Sequence, residues 1–443
     1  MTRTTRSILL LFMGIALFFF APSEKLYADG FDFYYVSINE TVEIAKPYSE
    51  IDSPLGKVNN FFKKAGNAVK RFWSQNIDHN FIQKEGERLY YSKSDKNLAY
   101  STTKTKVTSE EHLLELMGAD SESDLTNGQK ALLASYRMSK SEAVKKREDM
   151  SLFYMPKVNV VLVDTTGFED AEEYPHARKD FWPNSTGFTI TMNSGRYRNN
   201  PNAERDASST FLHEYAHCLD SNIRERKGYG PDGTHYINEI TMPRAAFVEA
   251  WAEYNEMLEF PHERRDFFNV MKGELNEEGK KAGDYTCVKP EDATGDQLMR
   301  SEAFLACMLY RIADEVEGGE EKINKAFKDI RWCILRDISN MLKQLVKNNP
   351  DDAKQIAGIV DEITLGKLSD KEMMHYLGKS SAIKEFLEER AQKRAEEEAA
   401  AESDAAEDPE AVEGAPAEKV LETVEDNVPL KNAGSSGSVF DIK

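Results

Sequence analysis

The stretch that most limits what this chain can fold into is Ala207 to Asp220, which contains His213-Glu214-x-x-His217. Helical residues four apart stand one turn apart on the same side. The spacing therefore predicts a helix that aims two imidazoles at one point, where both can reach a single zinc ion at roughly 2.0–2.1 Å. Glu214 points to another side and is left to act on a water instead of binding the ion. Catalytic zinc takes three protein ligands and keeps one position open. The fold must then bring a third donor to the pair, and a chance triplet would lack one.

The best third donor is Glu249, on a predicted helix that Pro243 opens, proline being suited to a first helical turn. Glu253 follows one turn later on the same face. Two carboxylates turned toward an apolar core without a cation would carry a large desolvation cost. With Glu249 as ligand, Glu253 is placed to orient a ligating imidazole. Asp220, one turn beyond His217, is an acceptor for a ligand or a competitor for the metal. His235 and His262 are lesser donors. A third histidine six residues beyond His217 would define another ligand pattern, but that position is Ile223.

His213-Glu214-x-x-His217 with the downstream Glu249-x-x-x-Glu253 resembles the gluzincin metallopeptidases, and among them the anthrax lethal factor-type catalytic domains. That family reads His-Glu-x-x-His-x-x-Asp, and Asp220 stands in the matching place. Its Glu-x-x-Ala-Glu is matched by Glu249-Ala250-Trp251-Ala252-Glu253, and an upstream arginine by Arg244. The likeness covers roughly residues 180–265. The resemblance implies a zinc peptidase. Its oxyanion-stabilising tyrosine would fall at Met242, which leaves that role to Tyr236, Tyr229 or His262.

Charged residues make up 30% of the 443, and the formal net charge is -20. No broad basic field exists to displace counterions from phosphates, so nucleic acid is not an expected partner. Arg3 and Arg6 precede the apolar run Ile8 to Phe20, with small-residue exits near Ala21 and Ala28. That is a cleaved secretory signal, too short for a comfortable membrane span. The expected protein is secreted or periplasmic, with no stable membrane span after signal cleavage. Cys218, Cys287, Cys307 and Cys333 make an even set that suits two disulfides or buried thiols, and spacing does not choose.

The fold class expected is α+β: a zincin-like domain whose small mixed sheet packs on the active-site helix, then a mostly helical C-terminal region. The divisions are 1–28, signal peptide; 29–105, an aromatic-rich N-terminal subdomain with a helical rhythm over 55–73; and 106–270, the catalytic domain. Residues 271–387 follow as the helical region and 388–443 as a disordered acidic Ala/Glu-rich tail, whose first part continues a helix through Arg394. Ser109–Met150 reads as two helices, the first ended by Gly118. Residues 157–164 and 186–193 read as strands, the second suited to a sheet edge along which a peptide could lie. Arg196, Tyr197 and Arg198 read as a polar loop.

The expected activity is zinc-dependent peptide hydrolysis. His213, His217 and Glu249 hold the metal, Glu214 is the general base, Tyr236 supports the oxyanion, and Asp220 and Glu253 steady the ligands. The expected partner is a protein or peptide substrate. The alternative is a secreted zincin-like binding or scaffold protein with a structural or vestigial metal site.

Overall fold

The structure, a computed structural model, describes residues 30–43, 86–91, 98–148, 158–168, 176–179, 188–220, 237–278, 285–330 and 337–407. The segment expected to be a signal peptide, the helical rhythm expected over 55–73, Tyr229, His235, Tyr236, Cys333 and the residues beyond 407 lie outside them. The chain divides into two compact units, residues 1–227 with 251–261 and residues 228–250 with 262–443.

The first unit is built on a six-stranded mixed sheet in the order β2-β3-β1-β4-β6-β5. Its strands are β1 (Phe31–Glu43), β2 (Gly86–Tyr91), β3 (Leu98–Val107), β4 (Val158–Asp164), β5 (His176–Lys179) and β6 (Phe188–Asn193). β1, β4 and β6 run parallel, and antiparallel partners flank them. Residues 29–105, expected as a subdomain, thus contribute three strands to the sheet that carries β4 and β6. β4 is buried along its whole length, as the run of valines requires of an interior parallel strand.

β6 is not the edge that its alternation suggested. It lies between β4 and β5, and all six of its residues are buried, the two threonines included. The edge is β5, antiparallel to β6.

Helices α1 (Glu110–Leu116), α2 (Asn127–Met138), α3 (Glu142–Glu148) and α4 (Ala203–Asp220) belong to the same unit. Ser109 caps α1 by accepting from the His112 amide, and Gly118 ends it at φ +70°, a conformation costly to any residue with a Cβ. Thr126 and Gln129 form a capping box on α2. α4 packs on the sheet through Phe31, whose ring lies 5.8 Å from Phe211 and 5.5 Å from Tyr215. Phe33 meets Tyr136 of α2 edge-on at 4.7 Å. Each buried ring contributes roughly 1.5–3 kcal/mol by leaving water.

Arg196, Tyr197 and Arg198, expected as a polar loop, belong to a 3-10 turn over Ser194–Tyr197 that Arg198 closes, with Tyr197 buried. The turn is fixed from beneath by Asp164 at the end of β4. Its carboxylate accepts from Tyr35 Oη (2.7 Å), Gln129 Nε2 (3.0 Å), Ser194 Oγ (3.1 Å) and the Thr166 amide (2.9 Å). Burial and this carboxylate push the Tyr35 phenol far above its ordinary range, so it remains a donor. Gly128 allows α2 to lie against the turn: a Cβ there would stand 2.5 Å from the Ser194 carbonyl oxygen. Gly128→Ala is therefore expected to destabilise by about 1–3 kcal/mol through overpacking, although alanine in an open helix would gain about 1 kcal/mol. Urea unfolding measures the sign.

α5 (Pro243–Glu259) is one continuous helix that passes from the second unit into the first. The second unit otherwise contains the small sheet β7 (Glu239–Ile240), β8 (Leu275–Glu278) and β9 (Tyr285–Val288), with α6 (Pro261–Val270) and α7 (Gly295–Leu298). The region expected as helical over 271–387 thus opens with the strands β8 and β9, and its helices follow as α8 (Glu302–Glu315), α9 (Gly319–Asp329), α10 (Ile338–Asn348), α11 (Ala353–Ile363), α12 (Asp370–Leu377) and α13 (Ser381–Glu407). α8 is buried from Glu302 through Tyr310 and is the centre of this unit. α13 runs on past Arg394 to Glu407, because alanine and glutamate are strong helix formers even where nothing is left to bury. Among the described residues, no helix is long and apolar enough to cross a membrane.

Candidate metal centre

The site is made by two helix faces. α4 offers Ser209, His213 and His217 at four-residue steps, and α5 offers Glu249, Glu253 and Glu256 at steps of four and three. The Nε2 atoms of His213 and His217 stand 3.0 Å apart with their rings nearly perpendicular, at 80°. One ligand atom from each of His213, His217 and Glu249 falls within 4.8 Å of the others. The continuity of α5 fixes Glu249 one turn before Glu253.

Behind the histidine pair, His213 Nδ1 lies 3.6 Å from Glu253 Oε1 and 3.7 Å from Glu256 Oε2. These are longer than direct hydrogen bonds, but two carboxylates on that side favour a proton on Nδ1. That tautomer leaves the Nε2 lone pair facing His217. Ser209 Oγ donates to Glu256 Oε1 at 3.0 Å, so Glu256 is tied to the helix that carries the histidines. Burial first, and the Glu253 charge second, raise the Glu256 carboxyl to about 8, while His213 pulls it down. Glu253, Glu256 and His213 form a second cluster with metal-ligand spacing.

The donor set fits a divalent cation. Ligand atoms of a tetrahedral zinc site at about 2.0–2.2 Å stand roughly 3.3–3.6 Å apart, and the imidazole pair is already on that scale. Glu249 is 4% exposed, and a charge so deeply placed is costly without a counter-charge. The position of these acids on α5 adds to the cost. Glu253, Glu256 and Glu259 crowd its C-terminal half, and its last turn carries no basic residue. That is the end where negative charge is unfavourable. A helix that accumulates acids at its negative end needs cations from elsewhere.

One such cation is Arg147 of α3, whose side chain is 0% exposed. It donates to Asn255 Oδ1 (3.0 Å), the Asn255 carbonyl (2.9 Å) and Glu259 Oε1 (2.9 Å). Asn255 in turn donates to the Trp251 carbonyl at 2.7 Å. This clamp holds the C-terminal half of α5 and hence the carboxylate row.

Glu214 is buried beside the histidines, on another side of α4. Tyr197 is near it: burial above all, then the charges of Glu214 and Glu256, push its phenol up to about 12 against a hydrogen bond with Thr210. Asp220 ends α4 one turn beyond His217, with its side chain outside the described set. His262 lies 3.0 Å from Glu263 and belongs to neither cluster found among the described residues. Arg244 is half-buried in the first turn of α5. Cys287 and Cys307 are free thiols, and burial pushes the Cys307 thiol well up.

Sequence reasoning missed Glu256, Ser209, Tyr197 and Arg147. The first two were readable: Glu256 is seven residues after Glu249, and Ser209 is four before His213, both on faces already identified. Tyr197 and Arg147 come from other elements, and no periodicity points to them. Comparison with protein-family models, curated proteins and solved structures found no match to the chain. The cluster is consistent with a gluzincin-like metal-binding motif, a His-Glu-x-x-His helix joined by a remote glutamate.

Proposed function

We propose that the protein is an exported zinc-dependent endopeptidase. The observation that carries this reading is the convergence of His213, His217 and Glu249 within 4.8 Å, with Glu214 adjacent and not among the grouped ligands. His213, His217 and Glu249 hold the ion. A zinc ion bound there supplies Lewis acidity, which eases loss of a proton from water and polarises a carbonyl oxygen. Glu214 takes that proton and returns it to the departing amine. Tyr236 donates to the developing oxyanion, and Asp220 and Glu253 steady the ligating imidazoles. Among the described residues β5 ends the sheet, and its backbone offers groups with which an extended substrate can pair.

A structural metal site has no use for a base at Glu214, which favours an enzyme over a scaffold. The finer likeness to lethal factor-type domains rests on Asp220 and Arg244 and is part of the proposal. Export rests on the basic, then apolar, N-terminal segment.

The test is cleavage of an unfolded protein or a peptide library by the purified chain. Cleavage is expected to stop on chelation and to return when zinc is restored. A chain that cleaves nothing, or cleaves equally well with chelator present, is not this peptidase.

A further inference from the structure

Of Glu253, Glu256 and Glu259, the carboxylates in the C-terminal half of α5, Glu256 is the deepest. Of the pair facing His213 Nδ1, it is the one that α4 anchors, through Ser209. We propose that Glu256, held by Ser209, is the positioning residue that sets the ring orientation and tautomer of His213 for metal binding. The inference rests on the metal centre of the proposed peptidase and adds to it a residue that the ligand motif does not contain.

Glu253 and Glu256 approach His213 Nδ1 almost equally, at 3.6 and 3.7 Å, so distance does not choose between them. The second contact of Glu256 does. Ser209 Oγ donates to Oε1, and Oε2 of the same rigid carboxyl faces the imidazole. Ser209 is one turn before His213 on α4. Serine, carboxyl and imidazole therefore form a brace that starts and ends on one helix and passes through the other. Turning His213 about χ1 or χ2 lengthens the 3.7 Å approach at the imidazole end. Ser209 donates its hydroxyl proton to Glu256, which adds a tie to α4 that Ser209 does not give Glu253. Partners of a ligating histidine of this kind are worth about 10–100-fold in metal affinity.

The experiment measures zinc affinity of the full chain by competition with a chelator, together with the visible spectrum of the cobalt-loaded protein. Glu256→Met keeps the volume and removes the acceptor, and Ser209 can turn back to the carbonyl four residues before it. Expected are zinc affinity about 10–100-fold weaker, an altered cobalt band, and a metal-free unfolding midpoint no lower than that of the parent. Ser209→Ala keeps the carboxyl and removes only its anchor, and is expected to weaken zinc about threefold or more, with Glu256→Gln falling between parent and Glu256→Met. Glu256→Met with parental zinc affinity overturns the proposal. Should Glu256→Met unfold, Ser209→Ala decides, and unchanged affinity there also overturns it. A parent chain that takes up no zinc removes the peptidase reading and this inference together, whereas normal zinc in parent and variants removes only the inference.

Discussion

Glu214→Gln is expected to lower peptide hydrolysis by about 10²–10⁴-fold while the chain still holds about one zinc ion. The two halves of this result come from different residues. Metal retention depends on His213, His217 and Glu249, whose ligand atoms meet without help from Glu214. The loss of rate follows because glutamine keeps the shape and hydrogen-bonding reach of glutamate but cannot accept a proton. Glu214 is buried beside the histidines, so bulk buffer is a poor substitute for it. Affinity for an uncleaved peptide should change little, since the substitution removes no charge that the ground state needs. Zinc content by elemental analysis and turnover on the same sample check both halves. Full activity in the glutamine variant would mean that the water loses its proton to another group, and the assignment of Glu214 would be withdrawn.

Much of this site could be read from spacing because helices convert sequence distance into direction. His213 and His217, Glu249 and Glu253 were each paired by the one-turn rule, and the two faces they define do come together. The same rule, carried one step further along each helix, reaches Ser209 and Glu256. What spacing does not convey is the layer in which an element lies. β6 alternates as an edge strand would, yet it is flanked on both sides and wholly buried, because β5, from residues 176–179, covers its outer edge. Tyr197 sits in a stretch with two arginines and reads as solvent-facing. It is buried because Asp164, some thirty residues earlier, fixes the turn through Ser194. Such placements depend on pairings between distant segments, and a single sequence carries no direct mark of them.

The largest stability effect is expected at Arg147, far from the motif in sequence. Arg147→Met should destabilise the protein by about 3–5 kcal/mol, the usual result of removing one partner from a buried charged network. The magnitude follows from what would be left behind. Asn255 is fully buried and would lose the donor to its Oδ1, and Glu259 would lose the guanidinium that it pairs with. Methionine fills most of the space, so a cavity adds little and the loss reports mainly on unmet polar groups. The guanidinium also places positive charge at the negative end of α5, where Glu253, Glu256 and Glu259 accumulate. Without it the last turns of α5 should loosen first, and the carboxylates facing His213 would loosen with them. Two measurements separate clamp from site. Urea unfolding of the metal-free chain should show the full loss, and saturating zinc should recover part of it, because the ion binds the folded form alone. If Arg147→Met unfolds at the parental midpoint, the carboxylate row is held by packing, and the clamp has no energetic role.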